Sequence, residues 1–210
     1  MRLFGKLLAA LVIAAVPVSA QQQVEQPLIL AFGDSLTADY GLQAGLGFAP
    51  QLQATLRRHG IAARVADGGV SGDTTSAGLA RLGWTLDGLG AKPDLVILEL
   101  GGNDMLRGVD PALTRTNLDA MLAELNRRQV PVLLAGMKAT PNVEPQYVAR
   151  FEAIYPELAT KHDVALYPFF LEGAALVPQM MQADGVHPTF PGVKQVVTRI
   201  APAVKEALGR

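Results

Sequence analysis

Two short segments at opposite ends of the chain hold residue types that together can perform nucleophilic chemistry. They are Gly33-Asp34-Ser35-Leu36, directly after an apolar run, and Asp184-Gly185-Val186-His187-Pro188 near the C-terminus. A serine hydroxyl is a weak nucleophile until an adjacent imidazole takes its proton, and that imidazole works best when a carboxylate on its other nitrogen fixes the tautomer. Elimination narrows the choice, because the only serines are Ser19, Ser35, Ser71 and Ser76 and the only histidines are His59, His162 and His187. His59, in Arg57-Arg58-His59-Gly60, reads as a cationic residue at a helix C-terminus. His162, in Lys161-His162-Asp163, reads as a solvated turn residue between a helix and a strand. His187 remains, with Asp184 three residues before it and Pro188 behind it, which biases its backbone to an extended conformation.

Ser71 and Ser76 could in principle serve instead, but Ser35 has the clearest strand, turn and helix-start context. That context predicts a hydroxyl and a backbone N–H at a helix N-terminus, where unpaired amides favour a developing negative charge. The plain alternative is an N-cap serine. Acyl transfer also needs donors aimed at the tetrahedral oxyanion. Gly72 offers a backbone N–H with no side chain in the way and Asn103 a side-chain amide; the alternatives are a turn glycine and an Asx-turn asparagine. Asp34, Asp73 and Asp104 each adjoin a tight turn, where Asp commonly accepts backbone N–H groups, and they stay outside the catalytic set. Met180-Met181 and Trp84 read as core or pocket lining.

These residues need a scaffold that brings distant segments together. Apolar runs at Leu28 to Phe32, Ala63 to Val65, Leu95 to Leu100, Val130 to Ala135 and Val164 to Tyr167 read as strands. Between them, Phe48, Leu52 and Leu56 recur every four residues, and Leu118, Met121, Leu122 and Leu125 repeat with helical spacing. Val193 to Leu208 reads as a closing helix, with Pro202 placed to bend or interrupt it. Such alternation predicts one α/β domain of about five parallel strands with helices on both faces. The segments around Ser35, Gly72 and Asn103 all follow strand C-termini, and a flavodoxin-like order of 2-1-3-4-5 brings them to one crevice.

Totals bound the rest. At 210 residues and 50% apolar the chain suffices for one substantial core. Residues 1–20 read as a secretory signal: Arg2 and Lys6, an apolar stretch from Leu7 to Val16, then Val18-Ser19-Ala20 as cleavage site. Its apolar run is shorter than a spanning helix needs. Cleavage leaves 16 basic against 19 acidic residues, a net charge of −3, which gives no reason to expect nucleic acid as a partner. The absence of cysteine excludes a thiol nucleophile, disulfides and cysteine metal sites.

The elbow G-x-S-x-G of α/β-hydrolases is absent: Thr37 stands two positions after Ser35. Instead the chain resembles the SGNH (GDSL) hydrolases, whose four blocks match Gly33-Asp34-Ser35-Leu36, Val70-Ser71-Gly72-Asp73-Thr74, Gly101-Gly102-Asn103-Asp104 and Asp184-Gly185-Val186-His187-Pro188. Ala153-Ile154-Tyr155-Pro156 and Tyr167-Pro168-Phe169-Phe170 look like the exported bacterial arylesterase, thioesterase and lysophospholipase branch. The resemblance implies a three-layer flavodoxin-like fold over residues 21–210 and an acyl-enzyme serine esterase that needs no cofactor or metal. It implies Ser35 as nucleophile, Asp184 and His187 completing the triad, and Ser35, Gly72 and Asn103 forming the oxyanion hole. It further implies a small-molecule ester or lipid as substrate, with residues 137–147 in the region that shapes acyl binding. Asp67 departs from the asparagine many relatives carry before the second block. Three other readings compete: a carbohydrate O-acetylesterase, a metal-dependent phosphoesterase on the Asp34, Asp73, Asn103, Asp104, Asp184 and His187 group, and a non-catalytic periplasmic lipid-binding protein.

Overall fold

The central strand, β1 (Leu28–Gly33), buries all six of its residues, as a strand must when helices cover both faces of its sheet. In the computed structural model, which describes residues 26–140 and 142–209, β1 pairs in parallel with β2 (Arg64–Gly69) on one side and β3 (Leu95–Glu99) on the other. β4 (Val132–Ala135) and β5 (Ala165–Tyr167) complete a five-stranded parallel sheet in the order β2-β1-β3-β4-β5. The predicted segment 1–20 lies outside the described residues.

β2 runs four residues beyond the apolar stretch that marks it in the sequence, with Gly68 and Gly69 opposite Phe32 and Gly33. The reason is its position at the sheet edge: Asp67-Gly68-Gly69 makes ladder hydrogen bonds without an apolar face to bury. Helix α1 (Phe48–Arg58) buries Phe48, Leu52 and Leu56 and packs on the closing helix α7 (Phe190–Ala207). α2 (Thr75–Gly88) packs on α4 (Pro111–Arg127), whose Leu118, Met121, Leu122 and Leu125 are all buried. A short α3 (Gly102–Leu106) follows β3, and α5 (Pro145–Glu152) and α6 (Ile154–His162) meet at Ala153.

α7 continues through Pro202 to Ala207. Proline removes one helical hydrogen bond, but burial of Val196, Val197, Ile200, Ala201 and Val204 along one face holds the helix together. His59 caps the C-terminus of α1, as its sequence context predicts. His162 differs from expectation: it ends α6 with its side chain largely buried and its Nε2 on the Asp119 carboxylate, because α4, which carries Asp119, packs against α6. Trp84, on α2, is 78% exposed and so lines neither core nor pocket; Met181 is buried as predicted. No described helix is long and apolar enough to cross a membrane.

Candidate active site

Ser35 leaves β1 into a run of turns rather than a helix, and the next helix begins only at Phe48. Thr37 N and Ala38 N both donate to the Asp34 carbonyl, at 3.3 and 3.0 Å, and Tyr40 N donates to the Ser35 carbonyl at 3.4 Å. Left-handed backbone at Asp39 and Gly41 then stops the helical winding. The predicted helix N-terminus and its dipole are therefore replaced at Ser35 by this short run of turns.

The turn is clamped from beneath. A Cβ on Gly33 would lie 2.4 Å from both Glu99 Oε2 and Thr37 Oγ1, so only glycine lets these groups close over the end of β1. Thr37 Oγ1 donates to Glu99 Oε2 at 2.9 Å, and the Asp34 backbone N–H reaches the same oxygen at 3.4 Å. Asp34 Oδ1 accepts from Leu36 N at 3.0 Å, the local turn bond expected of it. Burial drives both carboxyls toward the neutral form: Asp34 is pushed up to about 6, and Glu99 rises well above the ordinary carboxylate range, helped by its neighbour Asp34.

Asp184 and His187 sit on a loop that closes on itself before reaching Ser35. Met181 bridges to Pro188 in antiparallel fashion, Gln182 N donates to the His187 carbonyl at 2.7 Å, and Gly185 N donates to the Gln182 carbonyl at 3.0 Å. Asp184 Oδ1 accepts the N–H groups of Val186 and His187, at 2.9 and 3.0 Å. These bonds, with the His187 N–H foremost, lower the Asp184 carboxyl to about 2, so it is an anion at neutral pH. Its Oδ2 lies 2.7 Å from His187 Nδ1. An ionised carboxylate can only accept, which puts the hydrogen on Nδ1 and leaves the Nε2 lone pair to the Ser35 hydroxyl, 2.9 Å away. The structure thus brings the three side chains into one hydrogen-bonded line, with Ser35 8% exposed at its end.

Gly72 lies in the turn between β2 and α2 with φ +87°, a conformation that favours glycine. Its carbonyl accepts from Arg107 Nη2 at 2.9 Å. The backbone N–H groups of Gly72 and Ser35 have no protein acceptor among the described residues. Asn103, in the first turn of α3, makes no Asx turn: its Nδ2 donates to Asp34 Oδ2 at 2.9 Å and to the Asp73 carbonyl at 3.0 Å. It thereby ties together the loops that follow β1, β2 and β3.

The side chains of Asp73 and Asp104 are committed to long-range partners and not to local turns. Asp73 pairs with Arg81 Nε at 2.5 Å, and Arg81 also donates to the Gly33 carbonyl and lies 4.0 Å over the Phe32 ring. Asp104 accepts from Thr75 N, Thr75 Oγ1 and Thr114 Oγ1, joining α3 to α2 and α4. Their flanking glycines suggest turns, but the long-range partners that win come from elements distant in sequence. Asp67 takes up a local bond, accepting from Gly69 N at 2.8 Å.

A 210 Å³ cavity opens beside the line of three, walled by Leu36, Met105, Met137, Phe169, Met181 and Val186. Leu36 follows Ser35 and Val186 precedes His187, so the cavity begins beside the hydrogen-bonded line. Lys138, Ala139 and Thr140 of the 137–147 segment also line it. Wider depressions beside Val132 and Ala165, 390 Å³, and between α1 and α7, 500 Å³, contain no serine. Sequence reasoning missed Tyr40, Gln182, Arg81 and Glu99 near the site; only Glu99 carried a signal, as the one charge inside the apolar run of β3.

Residues 31–194 match the model of the GDSL-like lipase/acylhydrolase family. The chain belongs to this family. It is 40% identical over 187 residues to esterase TesA of Pseudomonas aeruginosa, covering 89% of this chain and 92% of that one. It is 39% identical over 160 residues to thioesterase 1/protease 1/lysophospholipase L1 of Escherichia coli strain K12, covering 76% and 74%. The crystal structure of AlinE4, an SGNH-hydrolase family esterase, superposes with a TM-score of 0.75 at 52% identity, over 87% of this chain and 97% of that one. This GDSL-like acylhydrolase is a serine hydrolase of carboxylic esters, and its parallel sheet with flanking helices is the SGNH hydrolase fold.

Proposed function

We propose that Ser35 Oγ attacks the carbonyl carbon of an acyl ester while His187 Nε2 takes its proton, with Asp184 holding the imidazole and stabilising its positive charge. The carbonyl oxygen becomes an oxyanion, met by the N–H groups of Ser35 and Gly72 and by Asn103 Nδ2. Both Asn103 amide hydrogens already point at protein acceptors, so the oxyanion shares or displaces one of them. Collapse of the tetrahedral intermediate breaks the bond to the leaving alcohol or thiol, which takes the proton from His187. Water, activated by the same imidazole, then adds to the acyl-enzyme, and collapse frees the carboxylic acid and Ser35. The observation that carries this reading is the unbroken line from Asp184 Oδ2 through His187 to Ser35 Oγ, with bonds of 2.7 and 2.9 Å.

The apolar, methionine-lined cavity beside Leu36 supports an aliphatic or aryl acyl group as its occupant. This lining favours acyl esters, thioesters or lysophospholipids over acetylated glycans, whose acyl part is a single methyl. Residues 1–20 act as an export signal, leaving 21–210 as the hydrolase domain in the periplasm or medium. No nucleic acid and no stable membrane insertion belong to this reading.

Hydrolysis of p-nitrophenyl esters from acetate to palmitate, with chelator present and Ser35→Ala beside the wild type, tests the proposal. Chelator-resistant turnover that disappears in the folded variant is expected. Appreciable residual turnover in a clean Ser35→Ala preparation sinks it.

A further inference from the structure

The Tyr40 ring lies against the His187 imidazole, with centroids 4.2 Å apart and planes tilted by 33°. Two backbone bonds fix Tyr40 there, and two more tie its partner Gln182 to the histidine loop. Its backbone N–H reaches the Ser35 carbonyl at 3.4 Å. Its carbonyl accepts from Gln182 Nε2 at 2.9 Å, and the second hydrogen of that amide goes to the Pro188 carbonyl at 3.0 Å. The backbone of Gln182 in turn donates to the His187 carbonyl at 2.7 Å. Tyr40 is thus bonded to the nucleophile's residue at one end and, through one amide side chain, to both sides of the histidine loop at the other.

We propose that Tyr40 is a positioning residue for His187, stacking on the imidazole to hold it in line with Ser35, and that Gln182 fixes Tyr40 for this purpose. The inference rests on the reading of His187 as the base for Ser35. Asp184 holds only the Nδ1 edge of the ring and Ser35 only the Nε2 edge, so a ring hinged on those two bonds needs a contact against its face to stop it tilting. Tyr40 supplies that contact. The charged groups near the imidazole are Asp184 on its own loop and Asp34 on the turn after β1. When the ring takes the serine proton, the electron-rich face of Tyr40 attracts the new positive charge as well. This stabilisation exists only once the proton has moved, so it acts on kcat and leaves substrate binding alone.

The experiment measures kcat and KM for Tyr40→Leu, Tyr40→Phe, Gln182→Ala and His187→Ala on p-nitrophenyl butyrate, with thermal melts of each. Tyr40→Leu is expected to lose about 3-fold to 30-fold in kcat with KM within about 2-fold, the size of a partly exposed cation–aromatic contact. Tyr40→Phe, which keeps the ring, is expected to retain at least about half of the wild-type kcat. Wild-type kcat in Tyr40→Leu, a loss confined to KM, or an equal loss in Tyr40→Phe overturns the inference. If Tyr40→Leu fails to fold, Gln182→Ala decides, because it leaves the ring but frees its tether: a fall in kcat supports the inference and an unchanged kcat overturns it. Full activity in His187→Ala instead overturns the underlying mechanism, a result distinct from failure of the Tyr40 variants beside an inactive His187→Ala.

Discussion

Asp34 donates its backbone N–H to Oε2 of Glu99, so two carboxyls, each 1% exposed, lie together beneath the Ser35 turn. Oε1 of Glu99 has no hydrogen-bond partner although it is buried. A charged oxygen in that position is costly, whereas a protonated carboxyl keeps the bond to Thr37 at lower cost.

This pair sets a pH dependence of stability. Both groups bind protons more tightly in the folded chain than in the unfolded one, so their stabilising contribution is complete below the unfolded carboxylate range near pH 4. The Asp34 share is lost as pH rises through about 6, and the Glu99 share, its carboxyl raised well above the ordinary range, at higher pH. The Asp34 shift corresponds to about 3 kcal/mol. Urea midpoints are expected to fall between pH 5 and pH 7.5 in the wild type and to fall less in Glu99→Gln, which keeps the shape without the ionisable group. Equal slopes in the two proteins would contradict the assignment.

Asn103 bonds Asp34 and Asp73 with the same nitrogen that the mechanism offers to the oxyanion. Asn103→Ala is therefore expected to lower kcat about 100-fold to 1,000-fold, with some loss of thermal stability from the two missing bonds. Steady-state kinetics on a short ester checks this; a change in KM alone would make Asn103 a substrate-binding residue.

The cavity beside Leu36 should decide chain length. Ala139→Phe adds a ring to its wall and is expected to cut kcat/KM for p-nitrophenyl octanoate by about 10-fold or more relative to acetate. An unchanged octanoate to acetate ratio would place the acyl chain elsewhere.

Most of this architecture was legible in the residues themselves. The apolar runs of β1, β3 and β4 and the helical spacing of Leu118, Met121, Leu122 and Leu125 report burial directly, and burial is what positions them. Ser35, His187 and Asp184 stood out because so few serines and histidines compete with them. What stayed hidden depends on partners far away in sequence. Nothing near Asp73 announces Arg81, nothing near Asp104 announces Thr75 or Thr114, and Gln182 meets Tyr40 only because two loops converge over the sheet edge. The helix expected at Ser35 failed for a local reason: left-handed backbone at Asp39 and Gly41 stops the winding after the first turns.

The nucleophile itself is open to direct chemical identification, by reacting the folded protein with a serine-directed fluorophosphonate and mapping the adduct by mass spectrometry while following esterase activity. The mechanism predicts one adduct, on the peptide carrying Ser35, formed in step with loss of activity and strongly slowed in His187→Ala. An adduct at Ser71 or Ser76 that tracks inactivation, or full activity with Ser35 blocked, would contradict it.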